Sequence, residues 1–157
     1  SALDDFTSLA VYPKAHERDS LYEARINPIG KLSDSPAHVI FGQKTLQQAR
    51  SALDRVNVRR MLLEVKRLVS DVATRFVFEQ NTPKNRALFV SQVSPLLSNV
   101  QSEQGIDEYR VIMDETNNTV EDIESNKLNG RIVIVPTRAV EFIAIDFIIA
   151  NSGVEFP

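Results

Sequence analysis

The chain of 157 residues has no cysteine, and this absence excludes several kinds of protein. A disulfide-stapled scaffold, catalysis by a thiolate and a zinc site built on cysteine all require a residue that it lacks. Glycine is also scarce. A phosphate-binding loop or a dinucleotide fingerprint needs several glycines close together, so neither can be placed here. The five glycines lie far apart, at Gly30, Gly42, Gly105, Gly130 and Gly153.

Charge and hydrophobicity exclude further classes. The formal net charge is only -3, whereas nucleic-acid-binding domains are strongly basic, so we expect no nucleic-acid partner. No apolar run approaches the roughly 20 residues of a transmembrane helix and no signal peptide is visible, so we expect no direct membrane insertion. With 43% hydrophobic residues the chain can still bury a core. It begins at Ser1 without a methionine, and we expect a processed chain or a fragment.

Catalytic and metal-binding motifs are missing as well. The two histidines, His16 and His38, form neither an HExxH motif nor a metal-ligand pair. We therefore predict no catalytic residue, no metal ligand and no cofactor. One acidic cluster could serve acid–base chemistry or bind a cation, although we favour the simpler interpretation of a solvated strand end. It keeps a small hydrolase open as the alternative, and its members are Asp107, Glu108, Asp114 and Glu115.

Apolar residues at helical spacing predict two long helices. The first runs over Val58–Phe78, with Asn57 as its N-cap. The second starts at Thr82, whose side chain can cap it, and ends at Gly105. Because proline cannot continue the hydrogen-bond ladder of a helix, we expect a kink or a break at Pro95.

Shorter elements are predicted on either side of these helices. A short helix capped by Asp19 or the serine after it precedes a strand at His38–Phe41. After the second long helix comes a strand at Tyr109–Met113. Thr119 can then cap a short acidic helix over Val120–Asn126, whose carboxylates favour the positive end of the helix.

The last part of the chain predicts two strands, Arg131–Val135 and Ala139–Ala150. The second carries apolar residues on both faces, so we expect it to be covered on both sides. A long apolar strand either lies centrally in its own sheet or pairs with another molecule. The residues alone leave both alternatives open.

Together these elements predict an α+β fold in which a small mixed β-sheet packs against two long helices, with extended terminal arms. The order of elements is a short strand, two long helices, a strand, a short helix and two strands. A repeating strand–helix–strand chain would instead alternate the two kinds of element along its whole length.

Charge is unevenly distributed, and three explanations stay open. The charged faces are solvated, or they form complementary patches that align identical subunits, or the arginines bind phosphate. Phosphate binding is weakened by the lack of interleaved aromatic residues. The basic residues on and before the first long helix are Arg50, Arg55, Arg59, Arg60, Lys66, Arg67 and Arg75. The acidic residues of the later part are Glu103, Asp107, Glu108, Asp114, Glu115, Glu121, Asp122 and Glu124.

Six segments, taken in order along the chain, resemble the C-terminal part of the contractile-tail sheath proteins of myophages, above all those of T-even-like and large-genome phages. Each segment is weak alone, and their common order makes the resemblance specific. Phe41 stands where the family frequently has tryptophan, which keeps an aromatic ring in that place. The segments are Leu21–Ile29 (LYEARINPI), Val39–Leu46 (VIFGQKTL), Val56–Arg60 (VNVRR), Phe78-Glu79, Tyr109–Thr119 (YRVIMDETNNT) and Pro136–Ile143 (PTRAVEFI).

The resemblance implies a structural protein and not an enzyme. In that family, subunits surround a rigid tube in six-fold rings, and extended arms pair with sheets of neighbouring subunits. It implies as partners further copies of the chain in a helical homopolymer, the tail tube protein, and the baseplate and tail terminator proteins. The implied location is the virion tail, after assembly in the host cytoplasm. A phage-tail-like bacteriocin or injection system has an equivalent sheath and is the alternative.

The same resemblance leads us to divide the chain into three parts and to name candidate contact residues. Residues 1–20 are expected to form an N-terminal arm or linker, residues 21–147 the inner sheath domain, and residues 148–157 a C-terminal arm. The predicted inter-subunit strand interface contains Phe147, Ile148, Ile149, Val154, Phe156, Leu3 and Leu9. The candidates for tube-facing or ionic contacts are Glu121, Asp122, Glu124, Lys127, Arg59 and Arg67.

Overall fold

The computed structural model describes residues 2–3, 8–31, 37–49, 51–138 and 141–157. In this part of the chain, four α-helices and two sheets form an α+β protein, which confirms the predicted class. The expected mixed sheet was wrong, because both described sheets are antiparallel throughout. Antiparallel strands can follow one another through short connections, and these strands do so. The chain divides into two compact units, Ser1–Asn57 and Val58–Pro157.

The first unit holds a small sheet and one helix. Strands β1 (Ala2–Leu3), β2 (Ile29–Lys31) and β3 (His38–Ile40) pair in the order β1-β3-β2, and helix α1 covers Ala15–Glu23. Strand β3 confirms the predicted short strand. The predicted cap of α1 was wrong, because the Glu17 carboxylate accepts the backbone N–H of Lys14 at 2.7 Å and closes the first turn earlier.

Two of the recognised segments meet inside this unit. The Asn27 side chain donates to the carbonyl of Lys44 at 2.8 Å and accepts from its N–H at 2.9 Å. Gly42 lies beside it with φ +118°, and a Cβ there would come within 2.7 Å of the Asn27 side-chain oxygen. Arg25 and Asp54 form an ion pair at 3.3 Å nearby. A short 3₁₀ helix, Ala52–Asp54, leads to the next helix.

The two long helices are close to those predicted. Helix α2 covers Val56–Ala73 and continues as a 3₁₀ turn over Thr74–Phe76. The predicted N-cap Asn57 was wrong, because the helix already includes the residue before it. Helix α3 covers Pro83–Gln104; as predicted, the Thr82 hydroxyl accepts from the backbone N–H at the third helical position, and a left-handed glycine ends the helix. The helix is not broken at its internal proline, which lies on the exposed side.

The second sheet follows α3. Strands β4 (Ile106–Ile112), β5 (Leu128–Pro136), β6 (Ile143–Ala150) and β7 (Gly153–Glu155) pair in that order. Helix α4 (Val120–Glu124) connects β4 to β5, as predicted but shorter. The long terminal strand was predicted to start at residue 139; β6 starts four residues later, and residues 139–140 lie outside the described part. Strand β7 was not predicted.

The core of the second unit lies between the helices and one face of this sheet. The rings of Phe76, Phe89 and Phe147 follow one another across it at centroid distances of 5.4 Å. The other face of β6 was expected to be covered, and in this single chain it is only partly covered: Ala144 is exposed, Ile148 and Ala150 are half-buried, and Phe142, just before the strand, is 68% exposed. Asp146 lies on that open face and forms an ion pair with Arg131 at 2.6 Å, which suits a face in water.

Candidate assembly surfaces

The C-terminal hairpin forms one edge of the larger sheet. Among the described residues, strand β7 pairs only with β6, with Ile148 opposite Glu155 and Ile149 opposite Val154. A two-residue turn joins the strands, and Gly153 follows it at φ +126° with open space around it. The hairpin therefore ends in a short edge strand with few constraints at its turn, and such an edge presents backbone groups that can pair with another chain.

The predicted strand-interface residues do not all lie on the surface. Phe147 and Ile149 are fully buried in the core of this chain, whereas Ile148, Val154 and Phe156 are half-buried along the β6–β7 hairpin. The last two residues of the predicted interface belong to the first unit: Leu3 lies in β1, paired with His38, and Leu9 is half-buried in a loop. The predicted boundary between the inner domain and the C-terminal arm, at residues 147 and 148, stays a prediction. Strand β6 crosses this position and runs on to residue 150.

Phe156 holds the end of the hairpin against the core. Its ring centroid lies 6.4 Å from that of Phe147, and the ammonium of Lys66 on α2 lies 5.6 Å above it. An aromatic contact and a cation–π contact of this kind are modest at a partly exposed site. The segment after β6 is therefore docked on its own sheet by contacts that can be remade elsewhere.

Helix α4 forms a second exposed surface, and its own residues fix its start. The backbone N–H and the hydroxyl of Thr119 donate to the Asp122 carboxylate at 2.9 and 2.7 Å. The hydroxyl bond first, and the backbone bond second, lower the pKa of Asp122 below its usual value. Asp122 was predicted as an ionic contact, but its carboxylate serves as a cap. Glu121, Glu124 and Lys127 do lie exposed, as a contact role requires.

The turn before α4 is held by a buried asparagine that sequence reasoning did not single out. The Asn118 side chain donates to the carbonyls of Asp114 at 2.8 Å and Asn129 at 3.0 Å, and accepts from the N–H of Asn129 at 2.8 Å. It therefore ties the end of β4 to the start of β5. Two adjacent asparagines in a turn gave a signal for such a role, because their side chains readily bond nearby backbone.

The same network reaches the start of α3. The Asn81 amide donates to the Asn118 side-chain oxygen at 3.0 Å and to the carbonyl of Lys127 at 2.6 Å. Buried Arg86 in turn donates to the Asn81 oxygen at 2.6 Å. Because the network bonds Asn118, two residues before α4, and Lys127, three residues after it, it holds this short helix in a fixed orientation on the domain.

The acidic cluster considered for catalysis has a structural part. The Asp114 carboxylate accepts from the hydroxyl and the backbone N–H of Thr116, and these bonds lower its pKa. Asp107 and Glu108 lie exposed at the start of β4. In the described part of the chain, no group of three or more acidic or histidine side chains is placed to hold a metal ion. No described helix has the length and apolarity to cross a membrane.

A basic surface covers the outer side of α2. Arg59, Arg60, Lys66 and Arg67 lie three or four residues from Leu63, so they surround it on the helix. Arg67 is engaged on its own helix, by Glu64 at 2.8 Å and Asp71 at 3.0 Å. Both predicted ionic candidates of this helix, Arg59 and Arg67, are thus exposed in one patch.

Comparison with known proteins defines the class to which this arrangement belongs. Residues 48–150 match the family described as phage tail sheath C-terminal domain. The chain is 35% identical to the tail sheath protein of Vibrio phage KVP40 over 148 residues. It is 33% identical to that of Enterobacteria phage T4 over 149 residues and 28% identical to that of Salmonella phage ViI over 153 residues.

The chain belongs to the phage tail sheath C-terminal domain family, because the match covers well over half of it. This confirms the resemblance found in the sequence. The alignments cover 94%, 94% and 98% of the chain, but only 22%, 22% and 24% of the three relatives in the same order. The chain therefore spans less than a quarter of the length of these relatives.

Proposed function

We propose that the chain is a structural subunit, or the inner domain of one, in a contractile phage tail sheath that polymerises around the tail tube. The observation that carries the proposal is the family match joined to an edge strand, β7, that is ready to pair between copies. Contraction would then drive the tube through the host envelope. The proposed partners are further copies of the chain, the tube, and the baseplate and terminator proteins, in the virion tail after assembly in the host cytoplasm.

Strand exchange is the proposed means of polymerisation. In the single chain, β7 covers the edge of β6 through main-chain pairing, and alternate side chains face the core. The same segment from a second copy can make the same contacts. Exchange therefore replaces contacts within a chain by identical contacts between chains, and it costs little enthalpy. Each buried apolar anchor contributes about 1.5–3 kcal/mol. Val154 and Phe156 are the anchors that move with β7, whereas Phe147 and Ile149 belong to the surface that receives it.

The absence of cysteine permits a direct test of strand exchange. Ile148 and Glu155 are register partners on the open face, so the double variant Ile148→Cys/Glu155→Cys places two thiols at disulfide range. We expect an intrachain disulfide in dilute chain and disulfides between chains after assembly, seen as a ladder on non-reducing gels. The single variants are the controls. Assemblies that contain only intrachain disulfides would contradict exchange, and a chain that never assembles would contradict the sheath role.

A further inference from the structure

The basic surface of α2 has an apolar centre. Leu63 is 67% exposed, and the four cations around it are Arg59, Arg60, Lys66 and Arg67. Two of the neighbouring acids, Glu64 and Asp71, are already bonded to Arg67. An exposed leucine inside a ring of cations leaves apolar area in water and positive charge beside it. We call these five residues the basic patch.

Helix α4 presents the opposite arrangement. Val120 is 72% exposed and Ile123 37% exposed, and they lie one helical turn apart. Glu121 and Glu124 lie exposed beside them, whereas Asp122 is turned inward as the cap. Among the described residues, neither Glu121 nor Glu124 forms an ion pair. We call Val120, Glu121, Ile123 and Glu124 the acidic patch.

We propose that the basic patch of one copy binds the acidic patch of the next copy of this chain. The two patches match in kind: each has an apolar centre, and the surrounding charges have opposite sign. Burying Leu63 against Val120 and Ile123 removes apolar area from water and excludes water from the ion pairs around it. Other partners of α4, such as a basic tube surface, are outcomes that the experiments below separate from this one.

The geometry of the contact suits an extended assembly. The two patches lie on different elements of the same unit, so a contact between them can join unlike surfaces and repeat from copy to copy. Heterologous contacts of this kind build rings or helical filaments, whereas a two-fold contact stops at a dimer. The inference rests on the proposed function, because it assumes self-assembly. Both patches are small, so they fix the register between copies while strand exchange supplies the larger buried area.

Single cysteines give a test that does not depend on complete assembly. The variants Leu63→Cys and Val120→Cys each carry one thiol in a chain that has no other. When they are mixed in equal amounts and oxidised slowly, we expect the mixed 63–120 dimer to form at least about tenfold faster than either symmetric dimer. A statistical mixture of the three dimers overturns the proposal. Val11→Cys, at an exposed position outside both patches, is the matched control.

Charge reversal tests the same contact in the assembled state. Glu121→Lys/Glu124→Lys makes the acidic patch basic, and Arg59→Glu/Arg60→Glu makes the outer side of α2 net acidic, because Glu64 and Asp71 on the same helix add to the two new glutamates. Each double variant alone is expected to raise the concentration needed for assembly at least about tenfold. An equimolar mixture of the two, or one chain carrying all four changes, is expected to assemble again because every contact regains opposite signs. Glu103→Lys/Glu108→Lys reverses as many charges outside both patches and serves as the control.

The outcomes also separate this inference from the sheath role. Lys66 is left unchanged because it contacts Phe156 in the C-terminal hairpin. If the reversed variants assemble like the unaltered chain, the patch contact is wrong while strand exchange stands. If they assemble normally but no longer bind the tail tube, α4 faces the tube and the proposal is overturned. Thermal unfolding of each variant at an unchanged midpoint shows that loss of assembly is not loss of fold.

Discussion

At the scale of single residues, Asn118 has the most demanding position. Its side chain joins the backbone at Asp114 and at Asn129 and also bonds the side chain of Asn81, and both Asn81 and Arg86 are buried as well. Buried polar groups are stabilising only when their hydrogen bonds are complete, so removing one member leaves the others without partners. This network is where the recognised YRVIMDETNNT segment makes its main structural contribution.

Asn118→Ala is predicted to lower the free energy of unfolding by about 2–3 kcal/mol, because the N–H of Asn129 loses its side-chain acceptor, the Asn81 amide loses one of its two acceptors, and the carbonyls of Asp114 and Asn129 lose a donor. Urea denaturation measures this loss. Hydrogen exchange in α4 is expected to become faster, since the helix loses its tether. Asn151→Ala, in the exposed turn before β7, is the matched change and is expected to leave both readouts unaltered; equal effects of the two variants would refute the role given to Asn118.

Two carboxylates make stability depend on pH. The pKa values of Asp114 and Asp122 are lowered in the folded chain by bonds from the Thr116 and Thr119 hydroxyls. A lowered folded pKa stabilises the fold above the unfolded value, about 3.8, and this stabilisation is lost as pH falls through the folded pKa. The unfolding midpoint is therefore predicted to fall below about pH 4. In the double variant Asp114→Asn/Asp122→Asn this part of the pH dependence should disappear; an unchanged acid slope contradicts the assignment.

At the scale of elements, the two strands of the C-terminal hairpin differ in how extensively they pair with the sheet. Strand β6 pairs with β5 along seven registers from Leu128 with Ile149 to Ile134 with Ile143, whereas β7 pairs with β6 along only three. Of the two strands of the hairpin, β7 is thus the one whose removal costs the fold less. A deletion that starts at residue 148 would also remove buried Ile149 and confuse loss of fold with loss of assembly.

Deletion of residues 153–157 is predicted to leave a folded chain that no longer assembles. The core rings of Phe76, Phe89 and Phe147 stay in place, so the unfolding midpoint should drop only by the loss of the Phe156 and Val154 contacts. Electron microscopy and sedimentation velocity measure assembly. Glu155→Gln, which keeps the strand and changes only a side chain, is the control. A truncated chain that still forms tubes would show that β7 is not the exchanged strand.

The elements also show what sequence reasoning can reach. Helices α2 and α3, the Thr82 cap and the ending at Gly105 were predicted because periodicity and capping are local signals. Strands β1 and β7 were not predicted, because strands of two and three residues depend on the partner that pairs with them. The start of α1 was misplaced because a glutamate inside the helix, and not a residue of the usual capping kind, bonds its first turn.

For the candidate surfaces, the sequence identified the charged residues but not their roles. Glu121 and Asp122 are adjacent and chemically alike, yet only the first is exposed while the second caps α4. The exposed apolar centres, Leu63 and Val120, were not singled out from the sequence. Whether such a residue faces the core or water follows from the packing of the whole unit, which local spacing does not determine for short or two-sided helices.

At the scale of the whole molecule, two kinds of contact are proposed to hold copies together, and they differ in their response to salt. Strand exchange depends on main-chain hydrogen bonds and buried apolar side chains, which ionic strength screens little. The contact between the basic and acidic patches depends partly on exposed charges, and the screening length falls from about 10 Å at 0.1 M salt to about 3 Å at 1 M.

Added salt is therefore predicted to weaken the contact between the patches while strand exchange persists. Between about 0.1 M and 1 M sodium chloride, where screening becomes strong, the concentration needed for assembly should rise several-fold, while the interchain disulfides of Ile148→Cys/Glu155→Cys still form. The chain that carries all four charge reversals should show the same salt dependence, because its patches again have opposite signs. Glu121→Lys/Glu124→Lys alone should assemble better with added salt, since screening relieves repulsion between two basic patches. Light scattering across a salt series measures the assembly of the unaltered chain, the chain with four reversals and Glu121→Lys/Glu124→Lys. If added salt weakened the assembly of Glu121→Lys/Glu124→Lys, this would mean that α4 does not meet the basic patch of another copy.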